Sequence, residues 1–231
     1  MPLTLALDTS ADVCAAALVR DRACIGVRRR AMTRGHAEAL VPMVQELAAA
    51  ARVELSDLDL VGVAKGPGSF TGLRTGIAAA RGFALASGAQ AIGVSSFEAL
   101  ACGAARSGRP AISILCVLET RRADYFVQQF DAQGNVEMPP AVLDAPEIFA
   151  LVDELQPLLA GNAVDRLLSE FDGDFADLPR LSGDGCPDPT DIAALAEVIF
   201  NKEGLVSDTL SPLYLRAPEA KLPANGGRLK Q

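Results

Sequence analysis

Apolar positions recur along the chain in two rhythms. Leu3–Leu7 (LTLAL) is a short apolar run that ends at Asp8-Thr9-Ser10, and Val13–Val19 (VCAAALV) is a second. Arg20-Asp21 reads as a tight turn into Ala23–Val27 (ACIGV), so the opening predicts strand, polar loop, strand, hairpin, strand. From about His36 to Arg52 the period becomes helical, with Pro42 inside the stretch. Proline lacks a backbone donor, so it predicts either a kink or the true start of that helix. Leu58–Ala64 (LDLVGVA) reads as a buried strand, and Lys65 opens a glycine-rich loop, GPGSFTGLRTG, over Gly66–Gly76. A small-residue helix follows, to about Ser87. Ala89–Val94 reads as a strand, and Ser95-Ser96 as the N-cap of a helix from Phe97 to Arg106. Breakers at Ser107-Gly108-Arg109-Pro110 separate a first lobe, residues 1–108, from a second, 109–216.

In the second half, Ala111–Leu118 and Asp124–Phe130 read as strands, with Asp131–Asn135 as the turn after them. Pro139-Pro140 to Pro146 reads as loop. Pro146–Leu155 is a short helix, Leu158–Gly161 a short strand and Ala163–Phe171 a helix. Pro187–Thr190 introduces a helix over Asp191–Lys202 with Ile192, Leu195, Ala196 and Ile199 on one face. Leu213–Leu215 is a last extended piece. Residues 217–231, with two prolines and adjacent glycines, read as a flexible tail that needs a partner to order. Each half opens strand, strand, strand, helix, which hints at an internal duplication.

Composition narrows the chemistry. Of 231 residues, 50% are apolar and 22% charged, ordinary for a soluble globular chain. No apolar run approaches ~18 residues, so no membrane span is expected. Met1–Asp8 reads as a strand and not as a secretory signal, which makes the cytoplasm the expected location. The five cysteines are widely spaced without a CxxC, a pattern of reduced thiols and not of a metal cage. His36 is the sole histidine, so a His-rich metal site is excluded. A helical metal pair needs a second histidine at i+4, where Leu40 stands. The net charge of −8 disfavours tight nucleic-acid binding by this chain alone. Arg20, Arg22, Arg28, Arg29, Arg30 and Arg34 nonetheless cluster against one acid, Asp21. They read as a solvated hairpin rim or as a phosphate-contacting patch used only inside a larger assembly.

The glycine loop lies between a strand and a helix, where backbone N–H groups favour an anion. The usual phosphate motifs fail there. Gly72 is followed by Leu73 and not by Lys-Ser or Lys-Thr, and the spacing is G-x-G-x-x-x-G. The competing reading is a tight strand-to-helix turn whose glycines serve packing. Asp8, Thr9 and Ser10 with Gly66, Gly68, Ser69 and Thr71 are the candidate phosphate contacts, in what would be a vestigial site. An acid at a strand end followed by hydroxyls can hold a magnesium water, or simply cap its own turn.

LALDTS at 5–10, RGHAEALVP at 34–42, KGPGSFTGLRTG at 65–76 and GVSSFEAL at 93–100 together resemble the bacterial TsaB (YeaZ) family. The likeness is dense over residues 3–106 and thins beyond, to LAGN at 159–162 and LYLR at 213–216. It implies the two-lobed α/β fold of actin, sugar kinases and the Hsp70 ATPase. It implies partnership with TsaD, which transfers a threonylcarbamoyl group to tRNA, and with the small ATPase TsaE. ATP would then be used by the partners, with no cofactor of the chain's own, and tRNA would be met only within the complex. Against the superfamily's D-x-G-[ST] loop, Asp8-Thr9-Ser10-Ala11 lacks the glycine. Leu118-Glu119-Thr120-Arg121 lacks the second Asp-glycine turn and departs from the Asp-Ala-Arg common in the family. A glycine pair for adenosine is reduced to Gly161-Asn162, and the catalytic relative's H-x-x-x-H becomes His36 and Leu40. The expectation is a non-catalytic scaffold subunit; the alternative is a small ATP-dependent kinase or ATPase using Asp8 and Gly66–Gly76.

The expected partner surface comes from a helical wheel. Over 36–52 the apolar side chains fill roughly 200°, where packing on one sheet needs little more than ~100°. Leu40, Met43, Val44, Leu47 and Ala50, with Gly76, Ala78, Ala79, Arg81 and Leu85 of the next helix, are therefore the expected interface. It would serve a heterodimer with TsaD and a homodimer when the chain is alone. The resemblance implies the same place, since TsaB and TsaD associate through first-lobe helices.

Overall fold

A computed structural model of the chain describes residues 2–108, 113–170, 178–203 and 210–216. The first sheet is built as the apolar runs predict. β1 (Leu3–Ala11), β2 (Val13–Arg20) and β3 (Ala23–Ala31) form an antiparallel meander. Asp21 and Arg22 turn the second hairpin with φ of 56° and 64°, the left-handed pair that matches strand twist. α1 (His36–Ala51) follows, then β4 (Leu60–Gly66), α2 (Phe70–Ser87) and β5 (Gln90–Ser95). β4 and β5 add in parallel, giving the order β3-β2-β1-β4-β5. α1 starts at His36 and runs through the exposed Pro42, so Pro42 does not mark its start. α3 (Ser96–Arg106) opens on the expected cap: Ser95 Oγ accepts from Phe97 N at 3.2 Å, and Glu98 reaches back to Ser95 N.

The second sheet repeats the plan. β6 (Ile114–Glu119), β7 (Tyr125–Phe130) and β8 (Val136–Leu143) form a meander, α4 (Ala145–Leu155) follows, and β9 (Leu158–Ala160) adds in parallel, in the order β8-β7-β6-β9. α5 (Val164–Ser169) closes this unit. Pro139 and Pro140 were expected in a loop but lie within β8. Their missing donors are tolerated because β8 is an edge strand, paired on one side only.

Four apolar clusters join these elements into five layers. α1 and α2 pack on one face of the first sheet, with Leu40, Val44, Leu47 and Ile77 against Leu5, Leu7, Leu18 and Val61. α4 and α5 cover the outer face of the second sheet through Ile148, Val152 and Leu167. Between the sheets, α3 puts Phe97, Leu100 and Ala104 on Ile114, Cys116 and Phe130. α6 (Pro189–Glu203) puts Ile192, Ala193 and Ala196 on Ala6, Ala64, Ile92 and Val94 of the first sheet. This changes the expected division at residue 108. The chain crosses back, and α6 belongs to the first lobe by packing although it follows the second in sequence. Residues 213–215 form no strand, yet Leu213 N donates to Lys65 O at 2.7 Å, so this segment too lies against the first lobe. The expected tail, 217–231, lies outside the described residues, as does part of the expected boundary, 109–112. Among the described residues no helix is long and apolar enough to cross a membrane.

Candidate functional site

The end of β1 and the glycine loop meet as the sequence suggests, but too closely to hold much between them. Asp8, Thr9 and Ser10 are buried. Ser69 N donates to Ser10 O at 2.7 Å, and Thr9 Oγ1 donates to Gly72 O at 2.8 Å. A Cβ on Gly68 would sit 2.3 Å from Ser10 O, and one on Gly72 only 2.0 Å from Thr9 O. Glycine is required at these positions so that the loop and α2 can lie on the backbone of β1. The packing reading of the loop is thus the one the geometry follows. A Cβ on Gly66 would sit 3.0 Å from Leu73 Cδ1 and from Leu213 O, and Thr71 is exposed at the start of α2.

Asp8 accepts from Ser10 N at 2.8 Å through Oδ1, while its buried Oδ2 has no partner. Burial drives the carboxyl above its ordinary value; Ser10 and, more weakly, the Arg29 charge oppose the shift. The space between Ser10, Gly68 and Ser69 on one lobe and Leu118, Glu119 and Asn162 on the other is about 30 Å³. That is room for one water. Asn162 Oδ1 accepts from Glu119 N at 3.0 Å, and the backbone of Gly185 lies directly on Gly161. Arg29 pairs with Asp184, and Arg121 with Asp12 at 2.9 Å, across the two lobes. Beside this cradle, a cleft of about 360 Å³ opens along the same loop, lined by Asp12, Arg34, His36, Ser69, Thr71 and Arg121 among others. Among the described residues no cluster of three or more His, Cys, Asp or Glu side chains is placed to hold a metal. His36 lies at the first position of α1, with its Nε2 3.2 Å from Ala11 O, a packing role.

The outer helices of the first lobe present a different surface. Between α1 and α2 runs an open groove of about 600 Å³, lined by Ala37, Val41, Phe70, Arg74, Ala78 and Ala79, among others. Val41 is 41% exposed, Phe70 50% and, further along α2, Leu85 88%. Arg74 lies over the Phe70 ring at 3.8 Å and donates to the Tyr214 hydroxyl at 3.1 Å, and Tyr214 stacks on that ring with centroids 5.5 Å apart.

Ten interface residues were expected, and the structure divides them. Ala50, Ala78, Arg81 and Leu85 are exposed, and Met43 and Ala79 are half-buried. Leu40, Val44, Leu47 and Gly76 are corrections: they are buried in the lobe itself, the first three against the sheet and Gly76 against Thr9 and Val63. The wheel gives an apolar arc but not which edge of it the sheet covers. Val41 lies on the uncovered edge. Phe70 and Arg74 were missed; the signal was an aromatic directly after the N-cap of α2, in the Ser69-Phe70 step of the glycine loop.

Residues 18–178 match the family described as TsaD, tRNA N6-adenosine threonylcarbamoyltransferase. Over 131 residues, 57% of this chain, the sequence is 32% identical to the tRNA threonylcarbamoyladenosine biosynthesis protein TsaB of Escherichia coli (strain K12). That match spans 56% of the E. coli protein, about half its length. The fold superposes on YeaZ from Pseudomonas aeruginosa with a TM-score of 0.76 and 27% identity, covering 93% of this chain and 100% of that one. It also superposes on an inorganic polyphosphate/ATP-glucomannokinase from Arthrobacter sp. strain KM, with a TM-score of 0.51 and 13% identity over 86% of this chain and 99% of that one. This last likeness is one of fold alone, the two-lobed actin-like fold.

Proposed function

The chain belongs to the TsaB/YeaZ family, within the wider threonylcarbamoyltransferase family, and from that premise we propose that it is a non-catalytic scaffold subunit in tRNA threonylcarbamoyladenosine biosynthesis. The observation that carries this reading is the groove between α1 and α2. An apolar groove of about 600 Å³ flanked by Val41, Phe70 and Ala78 is a surface that a second protein would bury. Two parallel-lying helices can meet two from a partner and close a four-helix layer. The partner in this reading is TsaD, with TsaE joining the complex, ATP used by those proteins, and tRNA met only inside the assembly. Without TsaD, the same groove supports a weaker homodimer. The setting is the cytoplasm.

A small ATPase remains the second reading, because the strand-end acid Asp8 is retained and the fold is shared with a kinase. The burial of Asp8 weighs against it. Titration calorimetry with magnesium-ATP separates the two readings. Micromolar binding with turnover by the isolated chain moves the assignment to an enzyme. Co-expression with TsaD of the same genome tests the scaffold directly. The expected result is a stable complex, with no threonylcarbamoyl transfer by this chain alone. Failure to co-purify at micromolar concentrations overturns it.

A further inference from the structure

The run Arg28-Arg29-Arg30 is split by strand geometry into two unlike sets. Successive side chains of a strand point to opposite faces. A Cβ on Gly26 would sit 2.7 Å from Leu47 Cδ1, so the face of β3 that carries Gly26, Arg28 and Arg30 is the α1 side. Arg20 joins it from β2, two residues beyond Leu18, which packs in the core beneath α1. Arg22 sits at the hairpin tip. Arg29 points the other way and is fully engaged: its guanidinium bonds both oxygens of Asp184 and the carbonyls of Cys186 and Pro187.

The α1-side set has no such partners. Arg20, Arg22, Arg28 and Arg30 are exposed, and among the described residues none has an acid within 4.0 Å. Arg28 donates only to the carbonyl of Val27. Arg28 and Arg30 are about 6.6 Å apart along the strand, close enough for like charges to repel. A chain with a net charge of −8 has acids in excess to neutralise them, yet among the described residues only Asp21, at the hairpin tip, belongs to this segment, and it forms no ion pair with them. Protection of an edge strand does not demand this many charges. β8, the edge of the other sheet, carries two prolines and a single acid, Glu137, held by Gln129 at 2.6 Å.

We propose that this face of β3 is a phosphate-binding strip, in which Arg28 and Arg30, continued by Arg20 and Arg22, contact the backbone of RNA. From Arg22 to Arg30 the strip runs about 26 Å at ~3.3 Å per residue, long enough for several phosphates. Guanidinium groups suit phosphate oxygens, which they can bind in bidentate fashion. The choice of RNA over another polyanion rests on the proposed role in tRNA modification. The acidic remainder of the chain makes the strip an auxiliary contact, effective when other subunits hold the RNA.

The test is fluorescence anisotropy with an unmodified tRNA transcript, titrated with the chain in complex with TsaD over a range of salt concentrations. R28A/R30A should weaken binding about tenfold or more at about 100 mM salt and lower the log–log salt slope by roughly two, whatever the tRNA sequence. Lys202→Ala, an exposed cation on α6 away from the strip, should change neither. Circular dichroism checks folding, and R28Q/R30Q serves in its place if the alanine variant does not fold. Affinity and slope unchanged in a complex that does assemble overturn the strip and leave the scaffold standing. Should no complex form, the scaffold reading fails instead, and the same titration on the chain alone at low salt still decides the strip. A variant that loses binding to phosphatidylglycerol vesicles but keeps tRNA affinity overturns the choice of RNA.

Discussion

The two lobes are built to the same plan and finish differently on the outside. Each is a three-strand meander followed by a helix and a parallel strand. In the second lobe, α4 and α5 turn Ile148, Phe149, Val152 and Leu167 inward, and no large apolar side chain on either helix is exposed. In the first lobe, α1 and α2 bury an equivalent stripe and still leave Val41, Phe70 and Leu85 in solvent. Both pairs of helices satisfy their own sheet, and the surplus on α1 and α2 lies outside that packing, with Phe70 meeting Arg74 and Tyr214 at the surface. An apolar surface of this kind suits association with another protein.

The strongest way to break this comparison is to charge the two outer surfaces in parallel. Val41→Glu with Ala78→Glu should abolish co-purification with TsaD, a loss of more than about a hundredfold in affinity, while circular dichroism stays native. Val41 is a better target than Met43, which packs partly on the core. Ala150→Glu, at an exposed position of α4, should leave the complex intact. An equal loss in both variants would mean that the lobes' surfaces do not differ in function.

Within the first lobe, α2 has one face on β1 and one in solvent, and its glycines distinguish them. Gly72→Ala places a methyl group against Thr9 O, in backbone that cannot give way, and should cost about 3 kcal/mol in urea unfolding. A smaller cost would show that α2 can lift off the strand.

The cradle itself can be probed through Asp8. Its folded-state pKa is raised by burial, so the sign is the reverse of an ordinary salt-bridged carboxylate. Stability is fully present below the unfolded value of about 3.9 and is lost as pH rises through the raised value. Asp8→Asn should therefore raise the urea midpoint at pH 8 more than at pH 4. An equal change at both pH values would place the carboxylate in a solvated setting, and a larger loss at pH 8 in a paired one. The smallest effect is expected at Gly82, mid-helix with nothing within 4 Å of an added Cβ. Gly82→Ala should stabilise the monomer by about 0.5–1 kcal/mol, the helix-propensity gain alone.

Much of this architecture was legible in local pattern. The apolar runs Leu3–Leu7 and Val13–Val19, the Ser95-Ser96 N-cap and the helical period of 36–52 specify their elements because each depends on neighbours a few residues away. The motif Gly66–Gly76 identified the family, and its glycines announced a close backbone approach. What they approach was not legible: Thr9 and Ser10 lie some sixty residues earlier, and only the parallel pairing of β1 with β4 brings them under α2. The same limit explains the two prolines of β8, permitted because that strand took an edge, and α6, whose apolar face could have suited either sheet. It also explains the division of α1. A periodic pattern gives the angular width of an apolar face, but which part of that arc is covered depends on where the sheet and the neighbouring helix lie. That is a property of the packed molecule, and it left Val41 outside and Leu40, Val44 and Leu47 within.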